Sequence, residues 1–390
     1  MAEQELFIIH RKCTNPKTEQ WEDKMKSRRI LLWGWFGFEN LGDDLLLNTM
    51  LENLSPYSGT ITVPMRSQYD IKYQNVKQIE RNYAALFREI PHNDMLIIGP
   101  GGLFPFDNPS KVAIYFFTAL LWKVFGRKVA FFGVGISERM GSFSKAIWRA
   151  TAAISDLFIT RNPAVVEKIG CIESPKIHTM ADTVFASSMR FKNSCCEDRV
   201  GIFVANLEQQ GMEDEYKSSV TTWQGVVSEL LDRGFAVDLL AFTRGSDDRL
   251  ISDIAAAFSN RGGVQTIPYE NALSAVEGLN RYKITISMRF HALVLSLLAN
   301  VPTVPIAYGE KTYLLAEKSG LSKYAIVWNS FQKEYYGYTQ DAPLSELMKR
   351  IDLLITNRDD AQNNMRQSRK AFKTSATYAM KQLIELANQE

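Results

Sequence analysis

Ile284-Thr285-Ile286-Ser287-Met288-Arg289-Phe290-His291-Ala292-Leu293 reads as a buried strand that stops at a polar turn and passes at once into an apolar helix. An apolar run too short for a helix, ended by polar residues and followed by a helical pattern, is the unit of a parallel α/β sheet. Two ionisable side chains, Arg289 and His291, stand at the strand's carboxyl end. Residues two apart on a helix face different ways. Arg289 and His291 therefore converge only if Arg289 lies in the loop before the helix begins.

The same unit recurs in both directions. Upstream, strands are expected at Ile30 to Trp33, Gly59 to Val63, Asp94 to Ile98, Lys128 to Phe132, Leu157 to Thr160 and Lys176 to Thr179. Helical patterns alternate with them, the first from about Asp44 to Leu54. The polar stretch Ser187 to Arg199 breaks the rhythm and reads as a linker. The rhythm restarts with strands at Val200 to Val204, Ala236 to Ala241, Val264 to Ile267, Lys283 to Ile286 and Thr303 to Ala307. Pro343 to Gln389 is helical and charged, suited to packing back across the junction. The expectation is an α/β chain of two Rossmann-like, doubly wound domains facing a central cleft. The first spans 28–190 and the second 199–340, with an N-terminal extension at 1–27 and C-terminal helices over 341–390.

Composition bounds the function. The 390 residues carry 45 Lys+Arg against 43 Asp+Glu. That balance argues against a nucleic-acid binder. Cys13, Cys171, Cys195 and Cys196 make no metal or disulfide pattern, which fits a cytoplasmic location. No apolar run of about 18 residues marks a transmembrane helix, and Leu6-Phe7-Ile8-Ile9 is too brief for a signal-peptide core.

In doubly wound sheets ligands sit beyond the carboxyl ends of the strands, so those loops hold the candidates. The first, Gly34 to Asp44, has glycines at 34, 37 and 42, a spacing that is not a dinucleotide fingerprint. Asp43 there reads either as a helix N-cap or as a carboxylate that orients or deprotonates a sugar hydroxyl. Gly99-Pro100-Gly101-Gly102 and Gly133-Val134-Gly135 read as tight turns after buried strands, the former also a candidate cleft lining. Arg161 follows a strand and precedes a helix that Asn162 caps, a setting suited to an anion. Lys311 follows the strand ending at Ala307 and can lend a point charge to a phosphate. Arg161, Arg289, Lys311 and His291 together imply a small, multiply charged anion, with no metal.

These residues resemble the polysaccharide pyruvyl transferase family. Gly37-Phe38-Glu39-Asn40-Leu41-Gly42-Asp43-Asp44 resembles its opening G-x-x-N-x-G-D-[DE] motif. Gly99-Pro100-Gly101-Gly102 is similar to its glycine-rich second motif, and Gly133-Val134-Gly135-Ile136 to a shortened G-x-G-I-G-P. Thr160-Arg161-Asn162, Ala181-Asp182 and Tyr308 to Lys311 resemble further elements, and Ser287 to Ala292 closely resembles its S-M-R-[LF]-H-A signature. Pro100 stands in a run of glycines, Asn162 where aspartate is usual, and Ser137 where a glycine is expected.

The resemblance implies a glycosyltransferase-B-like fold, with the acceptor on the first domain and the donor on the second. It implies transfer of pyruvate from phosphoenolpyruvate to a sugar of a cell-surface or exopolysaccharide glycan, as a cyclic ketal, with release of phosphate. Arg289, Arg161, Lys311 and Ser287 would bind the donor, and His291 and Asp43 would act in proton transfer. Gly37, Asn40, Gly42, Gly101 and Gly102 would shape the cleft. Phosphoenolpyruvate is then a co-substrate, with no other cofactor. The sugar acceptor is free or lipid-linked, peripheral membrane contact is compatible with the sequence, and the oligomeric state is open. Alternatives are a nucleotide-sugar-dependent glycosyltransferase of the same fold and a non-catalytic sugar-binding relative.

Overall fold

The computed structural model describes residues 28–68, 71–104, 107–192, 197–206, 215–328 and 344–389. The expected extension 1–27 and residues 193–196 of the expected linker lie outside the described residues.

Two parallel sheets form the frame. The first contains β1 (Ile30–Trp33), β2 (Ile61–Met65), β3 (Val76–Glu80), β4 (Met95–Ile98), β6 (Lys128–Ile136), β7 (Leu157–Thr160) and β8 (Ile177–Thr179) in the order β3-β2-β1-β4-β6-β7-β8. A short strand, β5 (Gly101–Phe104), pairs with the far end of β6. The second sheet is built from β9 (Arg199–Phe203), β10 (Ala236–Leu240), β11 (Val264–Ile267), β12 (Ile284–Ser287), β13 (Thr303–Ala307) and β14 (Ile326–Val327). Its order is β11-β10-β9-β12-β13-β14. In each sheet the order reverses beside the first strand, between β1 and β4 and between β9 and β12. That reversal opens a crevice at the carboxyl ends. Asp43 follows β1 and Arg289 follows β12, so each belongs to a switch point.

Strand alternation divides the first core. Ile30, Leu32 and Ile97 face one layer, where α1 (Leu41–Leu54) supplies Leu46 and Met50. Leu31, Trp33, Ile98 and Phe131 face the other, against Tyr115, Trp122 and Trp148. Apolar residues on both faces are what a helix-covered parallel sheet demands.

Four local expectations differ from the structure. Gly133 to Gly135 are not a turn. Gly133 takes φ +59°, β6 shifts register against β7, and the strand continues to Ile136. The extra length of β6 pairs with Gly101–Phe104, which is strand and not loop beyond Pro100. β3, with the sequence VKQIE, escapes a reading based on apolar runs because it is a half-exposed strand. The first helix begins at Leu41, not Asp44, because Asn40 caps it by accepting from the amides of Gly42 and Asp43.

The last helix, α12 (Arg358–Asn388), is about 46 Å long at 1.5 Å per residue. It touches both halves. Arg369 donates to the Leu298 carbonyl at 2.9 Å, the Ser375 hydroxyl accepts from the Ala181 amide at 3.2 Å, and Lys128 donates to the Leu386 carbonyl at 3.3 Å.

Candidate active site

The cap on α1 settles what Asp43 does locally. Asn40 is the N-cap, which frees the Asp43 carboxylate from that duty. Among the described residues it accepts no hydrogen bond, and it lines the cleft. Burial pushes its pKa up to about 7, helped by Asp44 and resisted by Lys311 and Arg161. Asp44 is pushed up to about 6, again by burial first, while the Tyr269 hydroxyl donates to it at 2.6 Å.

That bond is one of several tying the first loop to the second half. Asn40 Nδ2 donates to Thr243 Oγ1 at 3.1 Å. The Leu41 amide donates to the Phe242 carbonyl at 2.9 Å, and the Arg244 amide to the Glu39 carbonyl at 3.0 Å. The cleft therefore has a fixed floor.

At the end of β12, Arg289 keeps extended backbone angles, φ −80° and ψ 134°, immediately before α9 (Phe290–Ala299). Convergence with His291 requires that geometry, and both side chains line the cleft. Arg289 is not a free anion hook, however. Its Nε donates to Asp247 Oδ2 at 3.0 Å and its Nη2 to Oδ1. Asp247 is fully buried and also accepts from the amides of Asn206, Phe242 and Thr243. The guanidinium is thus held in one orientation by a planar two-point contact.

Ser287 does not reach the cleft. It is fully buried, and its hydroxyl lies 2.9 Å from Thr303 Oγ1 on the neighbouring strand. The expected donor contact is corrected: a side chain alternating inward at a strand end supports the turn from below.

His291 leans across the junction onto α1. A Cβ on Gly42 would collide with its Nδ1, so glycine there makes room for the ring. Its Nε2 is buried, lacks a hydrogen-bond partner, and stands 3.6 Å from Asp182 Oδ2, too long for a hydrogen bond. Burial lowers its pKa, Asp182 opposes this, and the positive charges of Arg161 and Lys311 add to the lowering. The neutral imidazole is the favoured form.

Arg161 donates to Asp182 Oδ2 at 2.5 Å. A Cβ on Gly135 would stand only 2.7 Å from its Nη2, which explains glycine where β6 passes. Against the pull of burial, the Arg161 guanidinium and the Val184 amide hold the Asp182 carboxyl well below the usual carboxylate range. Phe290 lies between two cations, with Arg161 5.4 Å and Lys311 5.6 Å from its ring centre. Lys311, exposed in the first turn of α10 (Glu310–Lys318), has no carboxylate partner among the described residues.

The remaining glycines serve the walls. Gly102 lines the cleft, and a Cβ there would stand 3.7 Å from Arg161 Nη2. Gly101 takes φ +122°, which only glycine adopts easily. Gly37, at φ +75°, packs on the backbone of Arg66 and Ser67 away from the cleft.

The cleft has a volume of about 310 Å³. Its outer end is aromatic and basic. Trp35 stacks on Phe38 at 4.0 Å, with ring planes 9° apart. Lys111 donates to the Leu103 carbonyl at 2.6 Å and lies 5.8 Å from the Trp35 ring centre.

Sequence reasoning passed over Lys111 and Asp247, and Asp182 entered only through a motif. Asp247 lies in the first turn of the helix after β10, Ser246–Ala255, at the same end of the sheet as Arg289, but nothing in the sequence pairs the two. Lys111 had a weak signal: it lies three residues past the cap Asn108, in the first turn of the helix that follows β5.

No curated protein sequence matches this chain. Among solved structures it resembles a putative UDP-N-acetylglucosamine 2-epimerase from Listeria monocytogenes, with TM-score 0.57 and 10% identity over 92% of this chain and 94% of that one. A UDP-glucosyltransferase from Polygonum tinctorium gives TM-score 0.57 and 10% identity, covering 94% and 100%. A glycosyltransferase from Streptomyces nogalater gives 0.54 and 14%, covering 93% and 100%. At such identities the likeness shows the fold alone, a two-domain Rossmann-like arrangement of the glycosyltransferase-B kind. The sequence profile of polysaccharide pyruvyl transferases, by contrast, matches residues 40–310, a span that runs from the cap of α1 to the start of α10 and takes in both switch points. This chain belongs to the polysaccharide pyruvyl transferase family.

Proposed function

We propose that the protein transfers pyruvate from phosphoenolpyruvate to two hydroxyls of a sugar acceptor, forming a cyclic ketal and releasing phosphate. The observation that carries this reading is the convergence of cations with two uncharged-leaning proton carriers. Arg161, Arg289 and Lys311 line one small cleft with His291, favoured as the neutral imidazole, and Asp43, poised near pH 7.

The chemistry asks for that combination. A proton must reach C3 of the enol, turning the methylene into a methyl group and making C2 electrophilic. One sugar hydroxyl then adds to C2 and gives up its proton. The C2–O bond to phosphate breaks, phosphate departs with the bonding electrons, and the second hydroxyl adds and loses its proton. One hydroxyl proton thus replaces the one delivered to C3, and the other leaves with the phosphate.

Lys311 and the outward edges of Arg161 and Arg289 suit the donor's phosphate and carboxylate. Asp43, beside the first switch point, suits deprotonation of an acceptor hydroxyl. His291 suits proton exchange with donor or phosphate. The stacked Trp35, close to Lys111, offers a flat apolar face for the acceptor ring.

The test incubates the protein with phosphoenolpyruvate and a panel of hexose and N-acetylhexosamine acceptors in heavy water. Acceptor-dependent phosphate release and a ketal methyl group bearing one deuterium support the reading. Release of nucleoside diphosphate from a sugar nucleotide, with no ketal formed, contradicts it.

A further inference from the structure

Among the described residues no helix is long and apolar enough to cross a membrane. One helix is nevertheless apolar on the side turned to solvent. The helix α3 (Pro109–Val124) buries Val112, Tyr115, Ala119 and Trp122 against the first sheet. Its opposite side presents Ile114, Phe117, Leu120 and Val124, and the chain continues into Phe125. Phe117 is 62% exposed, Val124 73% and Phe125 60%. Steps of three and four residues place them on one stripe, where a surface helix normally carries charged or polar side chains. The adjoining helix α4 (Ser142–Ile154) adds Phe143, 63% exposed. Contiguous exposed apolar surface of this kind marks an interaction face.

The charge around the stripe identifies the partner. From Asn108 to Ser155 the chain carries seven lysines and arginines against a single acid, Glu138; Lys123 is paired with Asp156, just beyond this stretch, and Arg127 with Asp94. Lys145 and Arg149, on α4, form no ion pair with any described residue. A second copy docked through the same face would set these cations against their own duplicates, because a two-fold interface is self-complementary. An anionic bilayer accepts both features. Apolar side chains enter the headgroup–acyl boundary, and the cations meet lipid phosphates.

We propose that the α3–α4 face docks the protein on the surface of an anionic membrane. The position of the face gives this a consequence. Lys111, in the first turn of α3, lines the cleft, and Ile114 follows about 4.5 Å further along the helix axis. Docking brings the bilayer beside the Trp35–Lys111 end of the cleft. If that end holds the acceptor, as the pyruvyl-transfer reading has it, a lipid-linked acceptor arrives from the docked side.

The test is flotation of the full chain with vesicles of phosphatidylglycerol and phosphatidylethanolamine, and separately of phosphatidylcholine alone. The first vesicles are expected to carry the protein. Phosphatidylcholine, and the double variant Phe117→Asp/Val124→Asp on either lipid, should carry at least about tenfold less. Lys145→Glu/Arg149→Glu should weaken binding to the anionic vesicles only. All four positions are solvent-exposed or partly so and outside the cleft, so the thermal melt and the turnover of a water-soluble acceptor should not change. Three results would overturn the proposal: no flotation of the parent, equal flotation of the Asp double variant, or a parent dimer in sedimentation equilibrium that Phe117→Asp makes monomeric. If flotation behaves as expected while phosphoenolpyruvate is not consumed, the docking stands and the pyruvyl-transfer reading falls.

Discussion

The second half of the molecule contains arginine–aspartate clusters at both ends of one sheet, and they differ in what they leave over. At the amino end, Asp238 is fully buried on β10 and accepts from Arg199 Nη1 at 2.5 Å, from Tyr282 at 2.9 Å and from Arg281. Both carboxylate oxygens are engaged, Glu197 adds a second anion beside Arg199, and the arginines reach solvent at the sheet's rim. At the carboxyl end, Asp247 likewise holds Arg289, and across the cleft Asp182, which follows β8 of the first sheet, holds Arg161. Here the pairing is incomplete. Among the described residues Lys311 has no carboxylate partner, His291 Nε2 has no hydrogen-bond partner, and Asp43 accepts nothing while burial raises its pKa to about 7. The same residue types thus build a structural knot at one end, where both carboxylate oxygens are engaged although Arg281 Nε has no partner among the described residues, and a candidate binding site at the other. The difference lies in unused valences, which are costly in a folded protein unless a ligand fills them.

Substitutions should separate the two ends. The largest effect is expected from His291→Gln, which keeps a polar side chain but removes proton exchange. Turnover should fall by about 10²–10⁴-fold with the melting temperature little changed. Steady-state kinetics showing normal kcat and only a raised KM would remove His291 from the chemistry. Asp238→Ala should do the reverse, costing about 3 kcal/mol of stability in denaturant unfolding by leaving Arg281 unpaired and Arg199 with Glu197 alone, with kcat unaltered. Loss of activity in the folded Asp238→Ala protein would erase the contrast.

A smaller effect is expected at the junction. Gly42→Ala should lower turnover by about 10²-fold, because the new methyl group displaces the His291 ring. Elsewhere in a helix the same change commonly stabilises, but here the clash with a buried ring removes that gain, so a slower enzyme that is no more stable is the diagnostic result. Parent-like turnover would mean that the ring position is not critical.

The smallest effect concerns Asp43 and pH. Its folded pKa of about 7 exceeds the ordinary carboxylate value, so between about pH 4 and 7 the folded state holds more protons than the unfolded one. Stability linked to Asp43 is therefore complete below about pH 4 and is lost as pH rises through 7. Asp43→Asn should remove that loss, so the variant is the more stable protein at pH 8 and equals the parent at pH 4. It should also abolish the limb of kcat/KM that rises near pH 7. Parallel stability curves for the two proteins would place Asp43 in ordinary solvent.

Much of this contrast was legible in the sequence and part was not. Buried strands ending in glycine or arginine announced both sheets, since a parallel strand must be apolar on both faces. The half-exposed VKQIE strand and the short GGLF strand gave no such run. Arg161, Lys311 and His291 could be found from position alone, at strand ends. The partner of Arg289 could not, because Asp247 is 42 residues away and the pairing depends on how β10 sits beside β9 and β12. Nor could the role of Gly42, which is set by a histidine from the opposite half. Ser287 shows the converse limit: a strand-end residue in a specific motif whose side chain turns into the core.

The central claim is that the carboxyl-end cluster is open because it receives a small, multiply charged donor. Calorimetric titration of phosphoenolpyruvate into the parent and into Lys311→Ala tests it most directly, since no acceptor is needed. Single-site binding to the parent, weakened about tenfold or more when the unpaired ammonium is removed, is the predicted result. Absence of binding to the parent, or equal affinity in both proteins, would contradict it.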